Sequence, residues 1–285
     1  MGRKEQVSEK KSFERPRFRR SFGLALGGGA ARGIAHIGVL KALEHRGLQA
    51  DEVAGTSVGA FVGALYAFGV PLRSIEQTTL GLSWKALASL RFSKLGLLDH
   101  TEVTQLLGQI LGKGARIEEA RIPLTIVATD LETGEPAYFQ EGDVASAVSA
   151  STCVPGVFVP VERDGRLFVD GGLVENVPIS PFFKSKVARI AAVDLNGSTS
   201  YGKPNHIFEV LMQSFDIAID RLTRLELARG ADHVLSLKLG DLSRMDTRDA
   251  AELIRRGTEG GEILAQELIR PLKISRLFKR WLQNL

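Results

Sequence analysis

The sequence predicts an α/β fold with a largely parallel sheet. Three observations carry that prediction. Apolar strand-like runs alternate with helical periodicity over most of the 285 residues. Twice, a short apolar run passes directly into a glycine-flanked turn and then a helix, once within Leu24–Val39 and once around Gly55–Gly59. No Pro- or Ser-rich linker, repeat or low-complexity stretch interrupts residues 21–270, which therefore read as one domain.

The elements follow in order. Ser21–Leu26 reads as a buried first strand, and Gly27–Gly29 as the turn after it. Ala30–Glu44 is helical by the recurrence of Ile34, Ile37, Leu40 and Leu43, with Gly47 as its stop. Asp51–Ala54 is a short strand. Ser57–Phe68 is a helix apolar on nearly every side, hence buried. Residues 72–120 read as several helical pieces dense in Leu, Trp84 and Phe92, either a packed helical layer or a mobile lid or acyl-chain channel. Pro123–Asp130 and Ala137–Gln140 are strands, and Val144–Ser151 is a short helix of small residues. Asp164-Gly165 turns a hairpin between Val157–Val161 and Arg166–Val169, and Asp170-Gly171-Gly172 follows the strand end. Arg189–Asp194 and His233–Leu239 are strands; Asn205–Gly230 and Asp246–Leu268 are helices.

Composition narrows the setting. Hydrophobic residues make up 44% and charged residues 25%, as in ordinary globular proteins. The lone Cys153 excludes an intrachain disulfide and fits a reducing, cytoplasmic setting; its apolar surroundings read as those of a packed side chain. No stretch of ~20 apolar residues offers a membrane span. The formal charge of +4 is unevenly spread: residues 1–20 hold Arg3, Lys4, Lys10, Lys11, Arg15, Arg17, Arg19 and Arg20. That segment reads as a basic flexible arm. Residues 271–285 interleave Lys273, Arg276, Lys279 and Arg280 with an apolar set that includes Trp281, a pattern for a basic amphipathic helix. Basic ends of this kind suit transient contact with an anionic membrane surface, and the balanced middle gives no sign of nucleic-acid binding.

Two motifs carry chemistry. Gly55-Thr56-Ser57-Val58-Gly59 fits a nucleophile elbow, in which glycines let a serine sit on a tight strand–helix turn at a helix N-terminus. The strip Gly27-Gly28-Gly29 fits an oxyanion hole of bare amides. It does not fit a dinucleotide fingerprint, because Arg32 stands where the third glycine belongs. Arg32 is a candidate to brace the loop, to form a buried ion pair or to attract an anionic head group, with Gly33 beside it. A serine needs a base. Of the five histidines, His233 would match the chain order of α/β-hydrolases, but it begins a strand. Asp170, at a strand end and freed by two following glycines, is the better partner for Ser57.

These three motifs, in this order, resemble the patatin-like phospholipases. Ala35-His36-Ile37-Gly38-Val39-Leu40 resembles their bacterial and neuropathy-target-esterase-like branch in particular. The likeness covers roughly residues 21–200, and Ala30-Ala31 makes the first motif one residue longer than the commoner form. The resemblance implies a three-layer α/β/α sandwich, a Ser57–Asp170 dyad without histidine, and an oxyanion hole at Gly27–Gly29. It implies a lipid acyl hydrolase that needs no metal or cofactor. The alternative is a membrane-associated or regulatory module with the same fold and little turnover.

Overall fold

The structure is a computed structural model that describes residues 21–81, 89–93, 96–197, 201–244 and 247–271. The basic arm at 1–20, the amphipathic segment at 272–285, and Trp84 lie outside the described residues. The chain runs β1 (Phe22–Leu26), α1 (Ala35–His45), β2 (Glu52–Thr56), α2 (Val58–Ala67), α3 (Leu72–Gly81), β3 (Ser89–Ser93), β4 (Gly96–Asp99) and α4 (Thr101–Leu111). It continues through β5 (Leu124–Asp130), β6 (Pro136–Phe139), α5 (Val144–Ser151), β7 (Val161–Arg163), β8 (Arg166–Asp170) and α6 (Gly172–Glu175). Last come β9 (Arg189–Asp194), α7 (Ile207–Gly230), β10 (His233–Ser236) and α8 (Ala250–Ile269).

The main sheet has the order β10-β9-β1-β2-β5-β8-β7, with β6 also paired to β5. The run from β10 to β5 is parallel throughout, and β8, β7 and β6 join antiparallel. Alternation along the strands divides the core. Leu24, Leu26, Val53, Ile126 and Val193 face the layer of α1, α2 and α8. Ala25, Ala54, Ile190 and Ala192 face Val177, Ile179, Phe182 and Leu227 of α7. Both faces are therefore covered, as a parallel sheet requires. On the first face α1 and α8 lie nearly backbone to backbone: a Cβ on Gly38 would sit 2.1 Å from Ile254 O, and one on Gly257 2.1 Å from Ala35 O.

Three expected elements differ. The region after Gly29 is not α-helical from Ala30; residues Ala30–Ile34 form a 3₁₀ turn that starts with Ala30 at φ 51°. The expected helical run over 72–120 contains the antiparallel pair β3–β4. Ser89-Leu90-Arg91-Phe92-Ser93 alternates polar and apolar residues with period two, a strand signal hidden by the apolar density around it. The hairpin at Asp164-Gly165 is present, but its first strand is Val161–Arg163, because Val157 and Phe158 both turn back to Val154 O.

The sheet also fixes where the chain enters and leaves. Phe22 pairs with Arg189 at the amino-terminal end of the parallel strands. The Arg189 guanidinium donates to Leu268 O and Arg270 O, each at 2.6 Å. Ser21 and Pro271 thus lie at the end of the sheet opposite the carboxyl ends of β1 and β2, where the glycine motifs are.

Candidate active site

Ser57 joins β2 to α2 with φ 54° and ψ −126°, a backbone conformation that costs a non-glycine residue about 1–3 kcal/mol. Neighbouring groups hold it there. Its N–H donates to Ser151 Oγ at 2.8 Å, and that hydroxyl donates to Val127 O at 2.6 Å. Its C=O accepts from Ala60 N and Phe61 N at 2.9 and 3.1 Å, which starts α2. Thr56 Oγ1 donates to Glu175 O at 2.8 Å and ties the turn to α6. The flanking glycines are required by space: a Cβ on Gly59 would meet Leu26 O at 2.0 Å. Ser57 thus sits on a tight strand–helix turn at the N-terminal end of α2.

Asp170 ends β8 and brings its carboxylate to Ser57. Its backbone is fixed on both sides, Asp170 N donating to Cys153 O and Thr129 Oγ1 donating to Asp170 O, each at 2.8 Å. Oδ1 accepts from Gly172 N at 2.7 Å. Burial raises the carboxyl pKa to about 6, with hydrogen bonds from Gly172 N–H and the Ser57 side chain opposing the rise. Cys153, next door, is inert: its buried thiol is pushed up by desolvation first and by Asp170 second, and it donates to Val159 O.

Two of the three amides in the glycine strip are engaged. Gly27 N donates to Val193 O and Gly28 N to Asn176 O, each at 3.1 Å. Those two amides knit the loop to β9 and α6 and are not available to an oxyanion. The Gly29 amide has no partner among the described residues, and neither does that of Val58, the first residue after the elbow serine. The loop still passes close to the serine, since a Cβ on Gly28 would stand 3.2 Å from Ser57 Cβ and 2.6 Å from Asn176 Oδ1. Of the three glycine amides, Gly27 N–H is therefore spent on β9 and Gly28 N–H on the carbonyl that follows α6, which leaves that of Gly29.

Arg32 braces the loop. Its guanidinium donates to Gly240 O and to Leu242 O, at 3.2 and 2.9 Å through Nη2, and burial followed by the nearby Arg244 lowers its pKa to about 10. It contacts backbone carbonyls and makes no direct salt bridge among the described residues. Gly33 packs flat on Val58, within 2.2 Å of where a Cβ would be. His36 is fully buried, neutral, and donates through Nε2 to Gly27 O at 2.8 Å; desolvation lowers its pKa to about 4.

A cavity of about 130 Å³ opens over Ser57 and Asp170, walled by Gly28, Gly29, Asn176, Met212, Phe215 and Arg244 among others. No histidine lines it. His233, the alternative base, starts β10 at the far end of the sheet and pairs with Glu267 of α8 at 2.9 Å. Sequence reasoning missed Ser151, Asn176, Arg244 and the α7 side of the cavity. Asn176 was within reach, six residues beyond Asp170 and across the short α6.

The fold and site define a class: an α/β protein covered on both faces, in which a serine on the turn after parallel strand β2 meets the half-buried aspartate that ends antiparallel strand β8. The patatin-like phospholipase family model matches residues 24–183, and the chain belongs to that family. An uncharacterized NTE family protein of Mycobacterium tuberculosis is 40% identical over 178 residues, 61% of this chain and 49% of that protein. Lysophospholipase nte1 of Aspergillus fumigatus is 32% identical over 182 residues, 62% of this chain and 12% of that protein. The chain thus spans about half the length of the first relative and a smaller part of the second. The crystal structure of VipD from Legionella pneumophila shares the fold, with a TM-score of 0.58 at 14% identity, covering 88% of this chain and 66% of that one.

Proposed function

We propose that the chain is a lipid carboxylic ester hydrolase that works through Ser57 and Asp170. The observation that carries this reading is the Ser57 hydroxyl, on a strained backbone turn, hydrogen-bonded to the half-buried Asp170 carboxylate, which desolvation pushes up to about 6. A carboxylate of ordinary pKa is a poor base for a serine hydroxyl; one raised by desolvation is a better proton acceptor. In the reaction Ser57 Oγ attacks the ester carbonyl as Asp170 takes its proton. The Gly29 and Val58 amides and the N-terminus of α2 face the developing oxyanion, and each such donor contributes roughly 2.7–4 kcal/mol. Asp170 returns the proton to the leaving alkoxide, and water then deacylates Ser57 by the same proton path. The lysophospholipase name of the fungal relative and the apolar wall of Met212, Phe215 and Ile219 support a lipid ester as substrate.

Ser57→Ala and Asp170→Asn should each lower hydrolysis of a p-nitrophenyl ester about 10⁴-fold or more with unchanged circular dichroism. Wild-type turnover in either would remove the dyad. Activity should rise with pH and reach half its plateau near pH 6, where Asp170 ionises. Fluorophosphonate labelling of Ser57 separates an active enzyme from a module without turnover. Stability should move the opposite way. The folded pKa is raised, so the contribution of Asp170 is complete below the unfolded value and is lost as pH rises through about 6. Asp170→Asn should therefore be more stable than wild type at pH 8, by about 2 kcal/mol, and equal to it near pH 4.

A further inference from the structure

α7 is inverted. A helix on a sheet normally turns its apolar stripe inward. Here the outward stripe holds Ile207, Val210, Leu211, Phe215 and Leu225, with Ile207 74% and Leu225 68% exposed. The carboxylates point the other way. Asp216 pairs with Arg244, Asp220 is buried against the Tyr201 hydroxyl, and Glu226 lies near Glu175. The exposed charges on α7 are Arg221, Arg224 and Arg229, with the 44% exposed Glu209 side chain of the first turn held by His206 and Asn205, and Lys203 precedes the helix. Phe215 belongs to both surfaces: it is 40% exposed and lines the cavity over Ser57.

We propose that this face of α7 docks on an anionic lipid bilayer and sets the cavity mouth at the lipid surface, an inference that rests on the lipid-ester reading above. Three features select that occupant. The apolar stripe is continuous with the cavity through Phe215, so a lipid leaving the bilayer meets apolar surface along its way. The exposed charge along the stripe is net cationic, four basic side chains against Glu209, and complementary to anionic head groups. The same arginines would face one another in a symmetric pairing of two copies and oppose it. At about 36 Å, α7 is long enough to lie along an interface, and no helix among the described residues is long and apolar enough to cross a membrane.

The test uses the full chain and vesicles of phosphatidylcholine with or without phosphatidylglycerol. Ile207→Ser combined with Leu211→Ser should lower the sedimented fraction roughly tenfold or more, while hydrolysis of soluble p-nitrophenyl butyrate stays within about twofold. Arg221→Gln with Arg224→Gln should remove most of the preference for anionic vesicles, about tenfold. Ile207→Cys, labelled with a polarity-sensitive dye in a chain whose other thiol is buried, should shift to the blue on adding anionic vesicles. Vesicle binding by the double serine variant equal to wild type overturns the proposal. So does a wild-type dimer that the same substitutions dissociate. The two readings fail separately: soluble-ester turnover with docking indifferent to α7 removes docking alone. Docking through α7 without turnover of any ester leaves docking standing and removes the hydrolase.

Discussion

The two longest helices, α7 and α8, cover opposite faces of one sheet and are built on opposite plans. α8 turns Leu253, Leu264, Ala265 and Leu268 into the core and Arg255 outward between Glu252 and Glu259. α7 turns Asp216 and Asp220 inward and leaves Leu211 and Ile207 to solvent. Desolvation raises the pKa of Asp216 despite its pairing with Arg244, so ionised Asp216 is held at a cost. A sequence selected for stability alone would repeat the α8 plan on both faces. The departure occurs on the face that closes over Ser57.

Substitution by size is the largest test of this contrast. Gly257→Val on α8 would drive a side chain into the Ala35 carbonyl and should lower stability by about 3 kcal/mol or more, or abolish soluble expression. Ala218→Val on the outward face of α7 should change stability by no more than about 0.5 kcal/mol. Thermal denaturation reads both. Next comes truncation: Leu253→Ala should cost about 2–4 kcal/mol, because Leu253 is fully buried, and Leu225→Ala under about 0.5. Comparable losses at Leu253 and Leu225 would mean that α7 is covered by protein in solution and that the contrast is mistaken.

The sequence disclosed features that depend on neighbours in the chain. Gly55-x-Ser57-x-Gly59 is such a feature, since its two glycines and serine make one turn. The strand before Gly27 and the glycine-terminated helix ending at Gly230 are others. Features that depend on distant partners stayed hidden. Whether the Gly27 and Gly28 amides are free is decided by Val193 and Asn176, far along the chain. Ser151 supports the Ser57 amide from a run of small residues with no distinguishing pattern. α7 is the most instructive case. Its apolar and its acidic residues both recur with helical period, so the sequence defines two faces without saying which one looks inward. Hydrophobicity alone does not choose, since Leu227 packs inward while Leu225 is exposed; the partners of the acids, Arg244 and Tyr201, decide it.

The smallest test asks whether the inward carboxylates of α7 are truly desolvated. Burial, then the neighbouring Glu175, raise Glu226 to about 7, with Arg229 opposing. Glu175 itself accepts from the Tyr138 hydroxyl and from Ser180 N, so it offers Glu226 no proton donor of its own. A raised folded pKa means that the contribution of Glu226 is complete below about pH 4.5 and is lost as pH rises through 7. Glu226→Gln should therefore be more stable than wild type at pH 8, by about 1–2 kcal/mol after allowance for its partial exposure, and equal to it near pH 4. Glu252 on α8 supplies the opposite sign. Hydrogen bonds from Arg255 and Arg256 hold it down at about 2, so its contribution is present above the unfolded value and is lost as pH falls from about 4.5 through 2. Glu252→Gln should then bring no gain at pH 8. Urea denaturation across pH 4–8 should give a Glu226→Gln curve that rises away from wild type as pH passes through 7 and a Glu252→Gln curve that stays parallel to wild type above about pH 4.5, if the helices differ as described. A Glu226→Gln curve parallel to wild type would show that this carboxylate is solvated and that α7 faces inward in the ordinary way.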